Sequence, residues 1–153
     1  MQYLNGTRDV CIFFGSKGPG VEGYTHVDYA GDMDKRRSTS EYVFMFTGGA
    51  VSWRSRLQNC TSMSTTKVEY IAVSEACKEA IWLARLVRDL GITVEMPTLH
   101  CDSQSAIMLA KNPVFHAKTK HIDVKYHFIS SICTCIYHRI HNVANCRRVR
   151  HLC

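Results

Sequence analysis

The stretch Ser64-Thr65-Thr66-Lys67-Val68-Glu69-Tyr70, with the apolar repeat behind it, constrains this chain more than any other feature. Ala72, Val73, Ala76, Ala80, Leu83, Val87 and Leu90 recur at helical spacing, which predicts an amphipathic helix over Thr66–Leu90. Lys78, Glu79, Arg85, Arg88 and Asp89 fall off that stripe and mark its solvated side. Gly91 stands where a helix stop is expected. Glu69 is the unusual member, because three and four positions ahead of it stand Ala72 and Val73, so a carboxylate heads the apolar stripe. It has two readings. One is a capping box, in which Glu69 reaches back to the Thr66 backbone N–H. The other is a metal-binding carboxylate at a buried helix start. Local spacing alone favours the cap.

At 153 residues, 46% apolar and 21% charged, the chain suits one soluble globular domain. No apolar run approaches membrane-spanning length. Met1-Gln2-Tyr3-Leu4-Asn5-Gly6 lacks the regions of a signal peptide, so the expected setting is intracellular, cytoplasmic or nuclear. The net charge of +6 is unevenly placed: residues 124–153 hold five Lys or Arg and no Asp or Glu. A basic end of this kind favours nucleic acid or is a tail never selected for folding. Among the eight cysteines, Cys77 and Cys101 read as small apolar residues inside elements. Cys133, Cys135, His138 and His141 offer four zinc donors, at a spacing that matches no standard zinc module.

In chain order, Met1 to Phe14 reads as a short helix or turn and then a strand at Val10-Cys11-Ile12-Phe13-Phe14. Gly15-Ser16-Lys17-Gly18-Pro19-Gly20 reads as a linker. A strand follows over 21–29, then a charged loop from Asp28 to Arg37. Tyr42–Phe46, the Gly48-Gly49 turn and Ala50–Trp53 give a strong hairpin signal. Beyond the long helix come a short strand, Thr98–Cys101, ending at Asp102, and a helix from Ser103 to Lys111. A strand, a long helix and another strand imply a parallel crossover. The expected class is α/β: a mixed sheet flanked by helices in β-β-β-α-β-α order. A further helix is expected from Ile122 to about Ile132, and Cys133 to His141 supplies the candidate fifth strand.

Ordered blocks along residues 1–129 resemble the ribonuclease H domain of copia-type LTR retrotransposon Pol polyproteins, particularly plant ones. They run from Gly23-Tyr24 and Asp28-Tyr29-Ala30-Gly31-Asp32 through Lys35-Arg36-Arg37-Ser38-Thr39-Ser40 and Val51-Ser52-Trp53. Ser64-Thr65-Thr66, Glu69-Tyr70, Glu79-Ala80-Ile81-Trp82-Leu83 and Cys101-Asp102-Ser103-Gln104-Ser105-Ala106-Ile107 continue them. Lys111-Asn112-Pro113-Val114-Phe115-His116, His121-Ile122-Asp123 and Tyr126-His127-Phe128-Ile129 complete the series. Met1 to Phe14 is similar to the end of a reverse transcriptase region. The resemblance implies residues 1–20 as a reverse transcriptase remnant plus linker, 21–129 as a ribonuclease H-like domain, and 130–153 as a divergent basic Cys/His-rich tail.

It further implies cleavage of the RNA strand of RNA/DNA hybrids with Mg²⁺, or Mn²⁺, and the rest of the Pol polyprotein as partner. Such chemistry uses converging carboxylates that hold two metal ions against the scissile phosphate. Glu69 matches the family's helix acid and Asp102 the acid ending the fourth strand, which moves Glu69 from cap to metal ligand. His26 stands where the first-strand acid belongs. Asp28, two residues along the same strand face, is its stand-in, about 7 Å away. Aligning Ile140-His141 and Asn145 puts Arg148 at the last acid's place. The expected result is a domain whose cleavage is impaired or lost. The alternatives are a non-catalytic nucleic-acid-binding remnant or an inert scaffold with a metal-binding tail. Candidate phosphate contacts are Lys35, Arg36, Arg37, Arg54, Arg56, Lys111, Lys118 and Lys120, each of which also reads as an ordinary solvated charge.

Overall fold

In the computed structural model, the described residues are 5–7, 9–11, 13–15, 17–32, 34–59, 61, 64–111 and 140–142. They form β1 (Val21–Asp28), β2 (Thr39–Phe46), β3 (Gly49–Leu57), α1 (Thr65–Asp89), β4 (Thr98–Cys101), α2 (Gln104–Lys111) and β5 (Ile140–Asn142). The sheet is mixed, in the order β3-β2-β1-β4-β5. β1, β2 and β3 make an antiparallel meander, while β4 pairs parallel to β1 and β5 parallel to β4. The class and element order read from the sequence hold.

The hairpin between β2 and β3 turns on Thr47 and Gly48, with φ of 48° and 94°, and Phe46 pairs with Gly49 across it. Two consecutive positive φ values match the right-handed twist of the strands, as two-residue hairpin loops require. The turn therefore sits one residue earlier than the Gly48-Gly49 pair suggested. β3 and β4 point the same way, so α1 crosses back over the sheet between them. A helix returning in this manner starts beside the carboxyl ends of the strands, which brings its first turn to the ends of β1 and β4.

α1 lies on the face carrying Val21, Gly23, Thr25 and Val27 of β1. Ser52 Oγ donates to Glu79 Oε1 at 2.6 Å and Arg54 Nη1 to Glu75 Oε2 at 3.4 Å, fixing its height over β3. The buried stripe includes Ala72, Val73, Ala76, Ala80, Leu83 and Val87, as the period predicts, and adds Val68, Tyr70, Ile71 and Cys77. Tyr70, fully buried, is the largest of these side chains. Leu90 is 66% exposed, because the helix has ended before it. Gly91, at φ 77°, donates its N–H to the Arg88 carbonyl and Ile92 its N–H to the Val87 carbonyl. That paired Schellman pattern needs a left-handed residue, which glycine supplies without a Cβ clash.

The capping box that local spacing favoured does not form. Ser64, not Thr66, is the N-cap, with no side-chain cap hydrogen bond, and the Thr66 hydroxyl donates to Ser105 Oγ at 3.2 Å instead. Glu69 thus lies beyond the first turn, too far along the helix to cap it. The strand expected at Val10–Phe14 is also corrected: Val10, Phe13 and Phe14 are exposed and none is in a strand. Both edges of β1 are already taken, by β2 and β4, so that apolar run meets no ladder there. Ile140 of β5 is fully buried in the main core with Leu99 and Cys101. The expected helix at 122–132 lies outside the described residues.

Candidate functional site

Parallel pairing of β1 with β4 builds the site. Thr25 and Cys101 are the last registered pair, so His26 and Asp102 follow as neighbours where the pairing of the two strands ends. Thr25 Oγ1 donates to the His100 carbonyl at 3.3 Å and ties the strands together just below. His26 Nδ1 lies 3.5 Å from Asp102 Oδ2, with both side chains half or more exposed. Glu69 reaches the same place from α1. One donor atom from each of Glu69, Cys101 and Asp102 lies within 4.8 Å of the others.

Two contacts hold the helix start there. Gln58, buried at the end of β3, donates from Nε2 to Ser40 Oγ at 2.7 Å and to the Val68 carbonyl at 3.0 Å. This amide pins the residue before Glu69 to the sheet, a role that in the sequence shows only as a polar residue closing a strand. On the other side, Ser103 caps α2: its Oγ accepts the Ala106 N–H and its carbonyl the Ile107 N–H. Ser105 then links Ser103 to Thr66, so the first turns of both helices are joined around the carboxylates.

The electrostatics follow from burial. The Glu69 carboxyl is pushed up to about 7, chiefly because it is half withdrawn from water and next because Asp102 is negative; His26 acts in the opposite direction. Burial also raises the Cys101 thiol. Cys101 had read simply as an apolar strand residue, and it is fully buried, with its Sγ 4.0 Å from the Ser103 carbonyl. Cys101 adjoins Asp102 in the chain, and only the fold brings it to Glu69.

No protein-family model matches the chain. It is 52% identical over 129 residues to the retrovirus-related Pol polyprotein from transposon TNT 1-94 of Nicotiana tabacum, covering 84% of this chain and 10% of that protein. It is 38% identical over 132 residues to the Pol polyprotein from transposon RE2 of Arabidopsis thaliana, covering 84% of this chain and 9% of that one. The chain belongs to the retrovirus-related Pol polyproteins of plant copia-type transposons. It spans about a tenth of the length of these relatives. Its fold is ribonuclease H-like: LC11-RNase H1, isolated from compost, superposes with a TM-score of 0.51 at 17% identity, covering 82% of this chain and 84% of that one.

The other sequence candidates scatter around this Pol segment. Asp28 is not among the clustered donors; its carboxylate is turned onto Gly31, where any Cβ would collide with it. Asp32 accepts the N–H groups of Asp34 and Lys35 and faces Arg37 Nε at 3.8 Å. Arg37 is thereby tied inside its own loop, and Arg54 is tied to Glu75 at 3.4 Å. Lys35, Arg36 and Arg56 are exposed. Lys118, Lys120, Arg148, Cys133, Cys135 and His138 lie outside the described residues, as does the side chain of Lys111. His141 sits on β5 with its ring 6.2 Å from that of His100, which stacks in turn on Tyr24 at 4.8 Å. No described helix is long and apolar enough to cross a membrane.

The raised Glu69 carboxyl has a measurable consequence for stability. Between about 4.5 and about 7 the folded chain keeps a proton that the unfolded chain has lost. Stability should therefore be greatest below that window and fall as pH rises through it. Glu69→Gln should flatten the decline of Tm across the same range, read by circular dichroism. An unchanged pH slope in that variant would place the carboxyl in ordinary solvent.

Proposed function

We propose that this segment is the ribonuclease H domain of a Pol polyprotein, that it binds RNA/DNA hybrids, and that its hybrid cleavage is impaired or lost. One observation carries the reading: His26, not a carboxylate, stands 3.5 Å from Asp102 where β1 and β4 part. Mg²⁺ binds through oxygen ligands in near-octahedral geometry. Glu69 and Asp102 together carry half the charge of two Mg²⁺ ions, and the neighbouring donors are an imidazole and a buried thiol. The pair of Mg²⁺ (or Mn²⁺) ions that the family resemblance implies does not fit this donor set. The sequence adds no rescue from the C-terminal side, since residues 124–153 contain no acid and Arg148 aligns with the last one. Asp28 serves its own loop in this reading rather than the cluster. The Pol relatives support reverse transcriptase as a covalent neighbour and an intracellular setting.

Binding is carried by phosphate contacts from exposed Lys35, Arg36 and Arg56, so affinity should be low in sequence preference and steep in salt. Replacing Lys35 and Arg36 together by Ala should flatten the plot of log K against log salt by roughly one unit per lost contact. Arg37→Ala should leave that slope in place, because its guanidinium already faces Asp32. An unchanged slope in the Lys35/Arg36 variant would return both residues to the solvated surface.

The test is to incubate the full chain with end-labelled hybrid, measuring retention on filters in EDTA and cleavage in Mg²⁺ or Mn²⁺. Salt-sensitive retention without cut products is expected. Efficient cutting that disappears in Asp102→Asn would overturn the impaired reading.

A further inference from the structure

We propose that His26, Glu69 and Asp102 form a single-ion site for a borderline transition metal, Zn²⁺ in preference to Mg²⁺. The site lies at the β1–β4 junction with Glu69 and Asp102, but its occupant differs in number and class from the pair the family resemblance implies. Two carboxylates balance the charge of one divalent ion and leave a second uncompensated. Zn²⁺ takes His nitrogen and carboxylate oxygen at about 2.0–2.2 Å, which sets tetrahedral neighbours about 3.4 Å apart. His26 Nδ1 and Asp102 Oδ2, at 3.5 Å, already have that spacing. Glu69 comes from α1, its donor within 4.8 Å of Asp102, and must turn toward His26 to complete the set. The half-exposed His26 and Asp102 side chains leave an entry path and an open fourth position. Imidazole nitrogen suits Zn²⁺, Ni²⁺ and Cu²⁺, whereas Mg²⁺ prefers carboxylate, carbonyl and water oxygens. Cys101 stays out of the ligand set because it is fully buried, with its sulfur turned to the Ser103 carbonyl.

The test is calorimetric titration of the full chain with ZnCl₂ and with MgCl₂, without nucleic acid. Cys133→Ser, Cys135→Ser and His138→Ala form the background, to dismantle the donor set between Cys133 and His141. One Zn²⁺ per chain is expected, bound at least about tenfold more tightly than Mg²⁺. His26→Ala should weaken Zn²⁺ by more than about tenfold, since even groups that merely support a ligand are worth that much. His26→Asp should shift preference toward Mg²⁺. Zn²⁺ affinity unchanged in His26→Ala, or Mg²⁺ bound as tightly as Zn²⁺ by the background chain, would overturn the proposal. His26 is exposed, so these variants should fold, as far-UV circular dichroism would check. Because hybrid retention is measured in EDTA, failure of the metal site and failure of nucleic-acid binding are separate results.

Discussion

Single-turnover cleavage of an RNA/DNA hybrid should rise about 100-fold when His26 is replaced by Asp. A group aimed at charge that develops in a transition state is typically worth 10²–10³ in rate, and the position beside Asp102 is where such a group is missing. The exchange places a third carboxylate next to Glu69 and Asp102 without touching the core, because the His26 side chain is 63% exposed. Adding Arg148→Asp should raise the rate further, by removing positive charge at the last expected acid. Asp102→Asn should abolish any gain. A His26→Asp chain that binds hybrid normally and still fails to cut would show that the lesion lies outside the β1–β4 junction.

Phe44→Ala should lower stability by about 3–5 kcal/mol, the usual cost of emptying a buried aromatic site. For a chain of this size that is a fall in Tm of roughly 6–20 °C. Phe44 is fully buried in the main core, and its ring is packed against Gly23 of β1, where a Cβ would overlap it. Gly23→Ala should therefore destabilise the wild-type chain and cost less, or help, in the Phe44→Ala background. Urea denaturation of the four chains measures that coupling, and strictly additive effects would show that ring and glycine do not share the space.

Much of this fold was legible because its elements are local. The α1 stripe, its Gly91 stop, the β2–β3 hairpin and the β4–α2 junction are each written within a few tens of residues, in periods and turn residues that act before distant parts of the chain meet. The same locality explains the failures. Val10–Phe14 has strand composition but lies off the ladder, and partners for a strand are not encoded within it. Thr66 and Glu69 have capping-box spacing, yet α1 begins earlier, at Thr65 after Ser64, so the spacing acts out of phase. Tyr70 did not enter the apolar stripe on sequence, and it is the largest side chain α1 buries.

The sequence by itself determined which carboxylates this segment possesses: Glu69 at a helix start, Asp102 at a strand end, His26 where an acid is expected, and no acid after Asp123. Residue identity is a covalent fact, and no packing can restore a missing charge. Only the tertiary structure decided which of these groups meet. Parallel register carried His26 to 3.5 Å from Asp102, the crossover of α1 delivered Glu69, and the Gly31 turn took Asp28 away. The first two outcomes depend on strand pairing and helix return across tens of residues, where distance along the chain says nothing about distance in space, and the third on how the chain leaves β1.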